Sequence, residues 1–115
     1  KLAKKIADEQ LKINKKIKIF LQVNIGDENQ KSGVNRDELK KLVSFCNNLK
    51  LEVIGLMCIP PLSSDSNEYF FEMRDLNKTF GFTELSMGMS SDYMQAVQNN
   101  STYIRIGSSI FGQRS

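Results

Sequence analysis

Apolar residues recur at helical spacing in the first dozen positions, where Leu2, Ala3, Ile6 and Ala7 stand among Lys, Asp and Glu. The period then drops to two. Ile17, Ile19, Leu21, Val23 and Ile25 alternate strictly, with Phe20 adding bulk on the other face, and predict a strand that ends at Gly26-Asp27. Asp27 to Asn35 has no apolar period and reads as a loop. Leu39, Leu42, Val43, Cys46 and Leu49 restore helical spacing after Asn35 or Asp37, either of which can cap a helix. A second strand is predicted over 52–59, stopped by Pro60-Pro61, because proline cannot donate to a ladder and keeps its predecessor out of helix. After a loop from Ser63 to Asn67, Tyr69, Phe70, Met73, Leu76 and Phe80 mark the buried stripe of another helix. Residues 84–87 predict a short third strand, and Ser90 or Ser91 caps a short helix over 92–98 with Asp92 near its positive end. A fourth strand over 103–106 runs into Gly107-Ser108-Ser109, and Ile110-Phe111-Gly112 opens a last turn.

The order is one helix followed by four βα units, which implies an α/β fold with parallel strands and right-handed crossovers. No linker, low-complexity tract or internal repeat divides residues 1–115, so they read as a single unit. Four such units form either a small open sheet with helices on both sides or half of an eight-stranded barrel, which when complete needs about 250 residues. The alternating first strand leans toward the barrel, since a central strand of a doubly wound sheet is apolar throughout.

Composition narrows the chemistry. The 115 residues carry 16 Lys+Arg against 13 Asp+Glu, a net +3 that is too mild to demand a nucleic-acid partner. No apolar run approaches the roughly 20 residues that span a bilayer. The amphipathic opening has no signal-peptide core, and without an initiator Met the chain reads as processed, trimmed or part of something longer. Histidine is absent, which removes imidazole bases and His-based zinc sites. Cys46 and Cys58 are too few for a thiolate metal cage, and as buried free thiols they fit a reducing cytoplasm.

Three motifs fail on inspection. The Gly26–Gly33 stretch lacks the Gly that must precede the Lys of a phosphate loop, since Lys31 occupies that glycine's place. As a calcium loop it would set Lys31 among the oxygen ligands and Ser32 at the sharp-turn glycine. Around Ser86, a nucleophile elbow would need Gly where Glu84 stands. What remains is a pair of segments, Ser86–Asp92 and Arg105–Ser109, each following a strand and rich in small and hydroxyl residues. Backbone N–H groups exposed by Gly are preorganised donors for a phosphate dianion, and the Ser90 and Ser108 hydroxyls can add charge-assisted bonds. Arg105 lies between Ile104 and Ile106. If those isoleucines pack under the helices, Arg105 points into the mouth of the strands, where an unpaired charge is costly and a ligand is expected. The alternative is a salt bridge to a carboxylate such as Glu52 or Glu84.

The same stretches carry a resemblance. Val23-Asn24-Ile25-Gly26-Asp27-Glu28 with Lys31-Ser32-Gly33-Val34, then residues 55–60 (GLMCIP), 85–92 (LSMGMSSD) and 101–114 (STYIRIGSSIFGQR), closely resemble the pyridoxal-phosphate homeostasis protein family, also called the YggS/PROSC family. The resemblance implies a barrel like the amino-terminal domain of bacterial alanine racemase, of which this chain is the second half, strands 5 to 8 of a TIM-type barrel. It implies a non-catalytic cytoplasmic carrier or regulator of intracellular pyridoxal 5′-phosphate (PLP), with PLP-dependent apoenzymes as possible recipients. By motif position, Ser90, Gly107 and Ser108 match the family's phosphate cradle, and Arg105 matches the arginine beside the cofactor's pyridine ring. Ser86 and Met89 would line the same mouth, with Asn24 and Lys31 as weaker contacts.

One departure stands out. The family's Schiff-base lysine lies on the first strand of the barrel, and no lysine here matches that motif, so the chain is expected to supply a cradle without the covalent anchor. A half barrel also leaves two edge strands unpaired, and docking with an N-terminal half or self-association is expected to cover them. A rival reading is a fragment of a PLP-dependent amino-acid racemase or decarboxylase with the same barrel. A blander one is an open-sheet interaction module without a ligand.

Overall fold

In a computed structural model, which describes residues 2–14, 17–26, 33–60, 66–89 and 91–105, helix and strand alternate as α1 (Leu2–Ile13), β1 (Lys18–Gln22), α2 (Arg36–Asn48), β2 (Glu52–Met57), α3 (Ser66–Thr79), β3 (Glu84–Ser86) and α4 (Tyr93–Gln98). The three strands form one parallel sheet in the order β1-β2-β3. Chain order and sheet order agree, as short βα units require.

One face of the sheet is packed. Leu21 and Val23 from β1 and its end, Leu56 and Cys58 from β2 and its end, and Leu85 and Met87 from β3 and its end are almost fully buried. They share a core with Leu39 and Cys46 of α2, Phe70 and Met73 of α3, and Ala96 of α4. The alternation read over 17–25 therefore sorts correctly from Leu21 onward. Ile17 falls outside the core at 39 % exposure, where its N–H donates to Gln10 Oε1 of α1 at 2.7 Å.

The other face follows from the register. Phe20 pairs with Gly55, and Gln22 with Met57, which pairs with Ser86, which bridges to Tyr103. Paired residues share a face, so Phe20, Met57, Ser86 and Tyr103 stand together opposite the helices. The Phe20 and Tyr103 rings meet edge to face with centroids 5.2 Å apart. A flat sheet would hold their backbones about 14 Å apart, three strand spacings. The contact therefore needs both rings to lean inward over a sheet that curves toward them. Gly55 clears the way. A Cβ there would fall 2.6 Å from the Glu84 carbonyl carbon and 3.1 Å from Phe20 Cε1.

A kink in the ladder sets up this arrangement. The β1–β2 register shifts between Ile19 and Phe20, leaving Ile54 opposite no β1 residue. Asn77 of α3, only 6 % exposed, reaches into the sheet nearby. It accepts the Leu56 N–H at 3.0 Å and donates to the Glu84 carbonyl at 2.8 Å, so one helix side chain satisfies main-chain groups of two strands.

Two local expectations change. The N-cap position of the helix over 93–98 falls to Asp92, not to a serine, and its side chain makes no capping bond. The fourth strand is reduced, among the described residues, to the single Tyr103–Ser86 bridge. Hydroxyls take over the bonds a ladder would use. Leu85 N–H donates to Thr102 Oγ1 at 2.7 Å, and Ser101 Oγ lies 2.6 Å from the Met87 carbonyl. At Gly88, whose φ of +107° suits glycine, the pairing slips by one residue, and the Arg105 N–H donates to the Gly88 carbonyl at 2.9 Å. Of the loop predicted over Asp27–Asn35, residues 27–32 lie outside the described residues and Val34 bridges to Val23; of the loop predicted over Ser63–Asn67, residues 63–65 lie outside them while Ser66 and Asn67 already belong to α3; the last turn lies outside them too.

Candidate functional site

Parallel strands deliver all their carboxyl ends to one pole, which is where α/β folds assemble sites from the following loops. Here that pole collects Asn24 after β1, Cys58 after β2, Ser86 to Met89 at and after β3, and Arg105. Asn24 is 8 % exposed, and its N–H donates to Val34 O at 2.9 Å while Val34 N–H donates to Gln22 O at 2.9 Å, closing the returning chain against the end of β1.

Arg105 is the distinctive group. Its Nη1 lies 3.4 Å from Ser86 Oγ, a long contact, and its Nη2 is buried with no hydrogen-bond partner among the described residues. Neither Glu52 nor Glu84 forms the alternative salt bridge with it. A guanidinium cannot shed its proton to relieve burial, and a buried donor left unsatisfied costs about 1–3 kcal/mol. An arm held this way is a standing donor, ready for an acceptor. It stays near Ser86 because the Tyr103 bridge and the Gly88 slip fix the backbone on both sides.

Sequence reasoning placed Ser86 and Arg105 together, and the structure brings them into contact. Met89 stands at the rim, 42 % exposed, with its N–H donating to Asp92 Oδ1 at 2.8 Å. Ser90, Gly107, Ser108 and Lys31 lie outside the described residues. Both cysteines are free and buried. Burial pushes the Cys58 thiol up to about 12 despite the opposing pull of Arg105, with Asp92 adding a smaller push upward. That keeps it an inert thiol. No grouping of three or more His, Cys, Asp or Glu among the described residues suits a metal ion, and no helix of the described residues is long and apolar enough to cross a membrane.

Several functional-looking side chains escaped the sequence pattern. Asn77 sits on an apolar helix stripe, and a lone amide there is the only signal it gives. The Asp92 carboxylate, read as a helix-end charge, instead serves two other elements, accepting from Met89 N–H and from Ser66 Oγ at 3.2 Å. Asn99 Nδ2 donates to Asn67 Oδ1 at 2.9 Å, a second tie between α4 and α3.

Comparison with known proteins fits this architecture. The family model of the alanine racemase N-terminal domain matches residues 1–115. Among curated proteins, the pyridoxal phosphate homeostasis protein of Aquifex aeolicus is 35 % identical over 98 % of this chain and 54 % of its own length. That of Escherichia coli K12 is 36 % identical over 85 % of this chain and 46 % of its own. The chain thus spans about half the length of the curated relatives it matches. A protein of Bifidobacterium adolescentis superposes with a TM-score of 0.84 at 30 % identity, covering 96 % of this chain and 49 % of that one. PipY of Synechococcus elongatus, solved with PLP bound, superposes with a TM-score of 0.77 at 29 % identity, covering 95 % and 54 %. A Chlorella virus arginine decarboxylase shares the fold at 18 % identity and a TM-score of 0.61.

Proposed function

The chain belongs to the alanine racemase N-terminal domain family, and from that premise we propose that it binds pyridoxal 5′-phosphate as part of a non-catalytic protein of intracellular PLP homeostasis. The observation that carries the proposal is Arg105, whose buried Nη2 has no hydrogen-bond partner among the described residues at the carboxyl pole of the strands. PLP presents a phosphate dianion, a ring nitrogen and an aldehyde, and so brings acceptors to a mouth lined by donors. Arg105, oriented by Ser86, meets the cofactor's ring. Ser90, Gly107 and Ser108 hold its phosphate, with Ser86 and Met89 lining the same mouth and Asn24 and Lys31 at its edge.

The fold proposal is the second half of a TIM-type barrel, strands 5 to 8, with residues 1–115 as one partial domain. The Phe20–Tyr103 contact over Gly55 supports it, because it asks for curvature toward the face that a barrel would enclose. Docking with an N-terminal half that bears the Schiff-base lysine, or self-association, covers the open edges. Sedimentation of the isolated chain as a stable compact monomer would count against both. The reading places the protein in the cytoplasm, delivering PLP to PLP-dependent apoenzymes. The rival, a racemase or decarboxylase, draws on the family model's alanine racemase domain and on a decarboxylase likeness that at 18 % identity concerns the fold alone.

The test is a titration of the full-length protein with PLP, followed by the cofactor's absorbance. Saturable binding that weakens at least tenfold in Arg105→Ala is expected, since a hydrogen bond from a charged donor contributes about 1.5–3 kcal/mol. A folded wild-type protein that leaves the PLP spectrum unchanged would end the proposal.

A further inference from the structure

Met57 pairs with Ser86 across β2 and β3, and paired residues share a face. Its side chain therefore stands beside the Ser86 hydroxyl that Arg105 Nη1 approaches. The main chain there is pinned from both flanks. The Met57 carbonyl accepts the Val23 N–H at 2.8 Å, and the Cys58 N–H donates to the Ser86 carbonyl at 3.2 Å. Ile59 continues the alternation, because Pro60 keeps its predecessor extended. Cys58 between them is fully buried in the core on the helix side, whereas Met57 is half-buried and Ile59 is 38 % exposed. Two apolar side chains thus lie open beside a guanidinium whose Nη2 is buried with no hydrogen-bond partner among the described residues.

We infer that Met57 and Ile59 form the wall against which the face of the cofactor's pyridine ring rests, so that they select a flat heteroaromatic ligand. The inference rests on the PLP-binding reading given above and adds two residues to it. Such a ring is apolar on its faces and carries an acceptor, the ring nitrogen, on its edge. Arg105 beside Ser86 offers the donor, and Met57 with Ile59 offers the apolar contact. A thioether suits this task, since its polarisable sulfur favours aromatic rings and its unbranched stem adapts to them. A small anion without a ring would satisfy Arg105 equally well, yet it would leave the two apolar side chains beside it in water, with no apolar burial to gain.

The test titrates the full-length protein with PLP and with pyridoxal, which has the same ring and no phosphate. Met57→Gln keeps the length of the side chain and removes its apolar character, and it is expected to weaken both ligands by the same factor, about tenfold. Met57→Leu restores an apolar wall and is expected to bind both within about threefold of wild type. Ile59→Thr, at the more exposed of the two positions, should lose about threefold for both ligands, and it carries the test if Met57→Gln does not fold. A loss for PLP without one for pyridoxal would assign the residues to the phosphate. Unchanged affinity for both ligands would show that protein covers the wall, and a Met57→Leu loss as large as that of Met57→Gln would make the position a structural one. Each of these three results would overturn the inference while wild-type PLP binding stands. Wild-type protein that binds no PLP would overturn the underlying reading as well.

Discussion

Replacing Arg105 with Met separates stability from binding in a way few substitutions can. Among the described residues the Arg105 Nη2 is a buried donor without a partner, and its Nη1 contact to Ser86 Oγ is long. Methionine keeps the apolar stem and removes the stranded N–H groups, so the penalty of about 1–3 kcal/mol for an unsatisfied buried donor disappears. Against this stands only the weak Ser86 contact. The expected result is a ligand-free protein as stable as wild type or up to about 2 kcal/mol more so. Binding moves the other way. If a charge-assisted bond to the cofactor is lost, affinity falls on the order of 100-fold. At a PLP concentration 100 times the wild-type Kd, ligand stabilises the wild type by about 2.7 kcal/mol and the variant by only about 0.4 kcal/mol. Denaturant unfolding with and without PLP reads both quantities. A variant destabilised by more than about 1 kcal/mol without ligand would make Arg105 a structural residue and refute the reasoning.

Other perturbations test the frame around the mouth. Asn77→Ala strands the Leu56 N–H and the Glu84 carbonyl and should cost about 2–4 kcal/mol in denaturant unfolding; a loss under 0.5 kcal/mol would mean that water replaces the amide. Gly55→Ala, whose Cβ would press on the Glu84 main chain and the Phe20 ring, should cost about 1–3 kcal/mol by overpacking and shift tyrosine near-ultraviolet dichroism; an unchanged spectrum and midpoint would deny the ring contact. For Cys58 the folded pKa of about 12 lies above the ordinary 9.0. Its contribution is therefore complete below pH 9 and is lost as pH rises toward 12, reaching a loss of about 1 kcal/mol by pH 10. The difference in unfolding free energy between wild type and Cys58→Ala should shrink across that interval, and a constant difference from pH 8 to 11 would show that the thiol ionises freely in the folded state.

The layout of elements was legible because each stretch of sequence followed its own period. The alternation from Leu21 to Ile25 and the spacing of Leu39 and Cys46 are set by burial against the same core that the structure contains. The ends were harder to read. The fourth strand looked like Tyr103–Ile106 by composition, but the Ser101 and Thr102 hydroxyls compete for the main chain of β3, and the Gly88 backbone shifts the register. Competition of that kind depends on three-dimensional neighbours and leaves no periodic trace. Likewise Asp92 is a good N-cap by residue type, and only the arrival of Ser66 and Met89 decides where its oxygens go. In the site itself, Ser86 and Arg105 could be paired from their places on adjacent strands. The unfilled state of Nη2 could not, because the two glutamates offered as partners differ from solvent only by position.

The most direct test is a crystal structure of the full-length protein with PLP, read at Arg105. The account predicts Arg105 Nη2 within hydrogen-bond distance of an atom of the cofactor, with Ser86 still beside Nη1. A guanidinium ion-paired to a carboxylate from elsewhere in the protein, with PLP bound at a different pole, would contradict it.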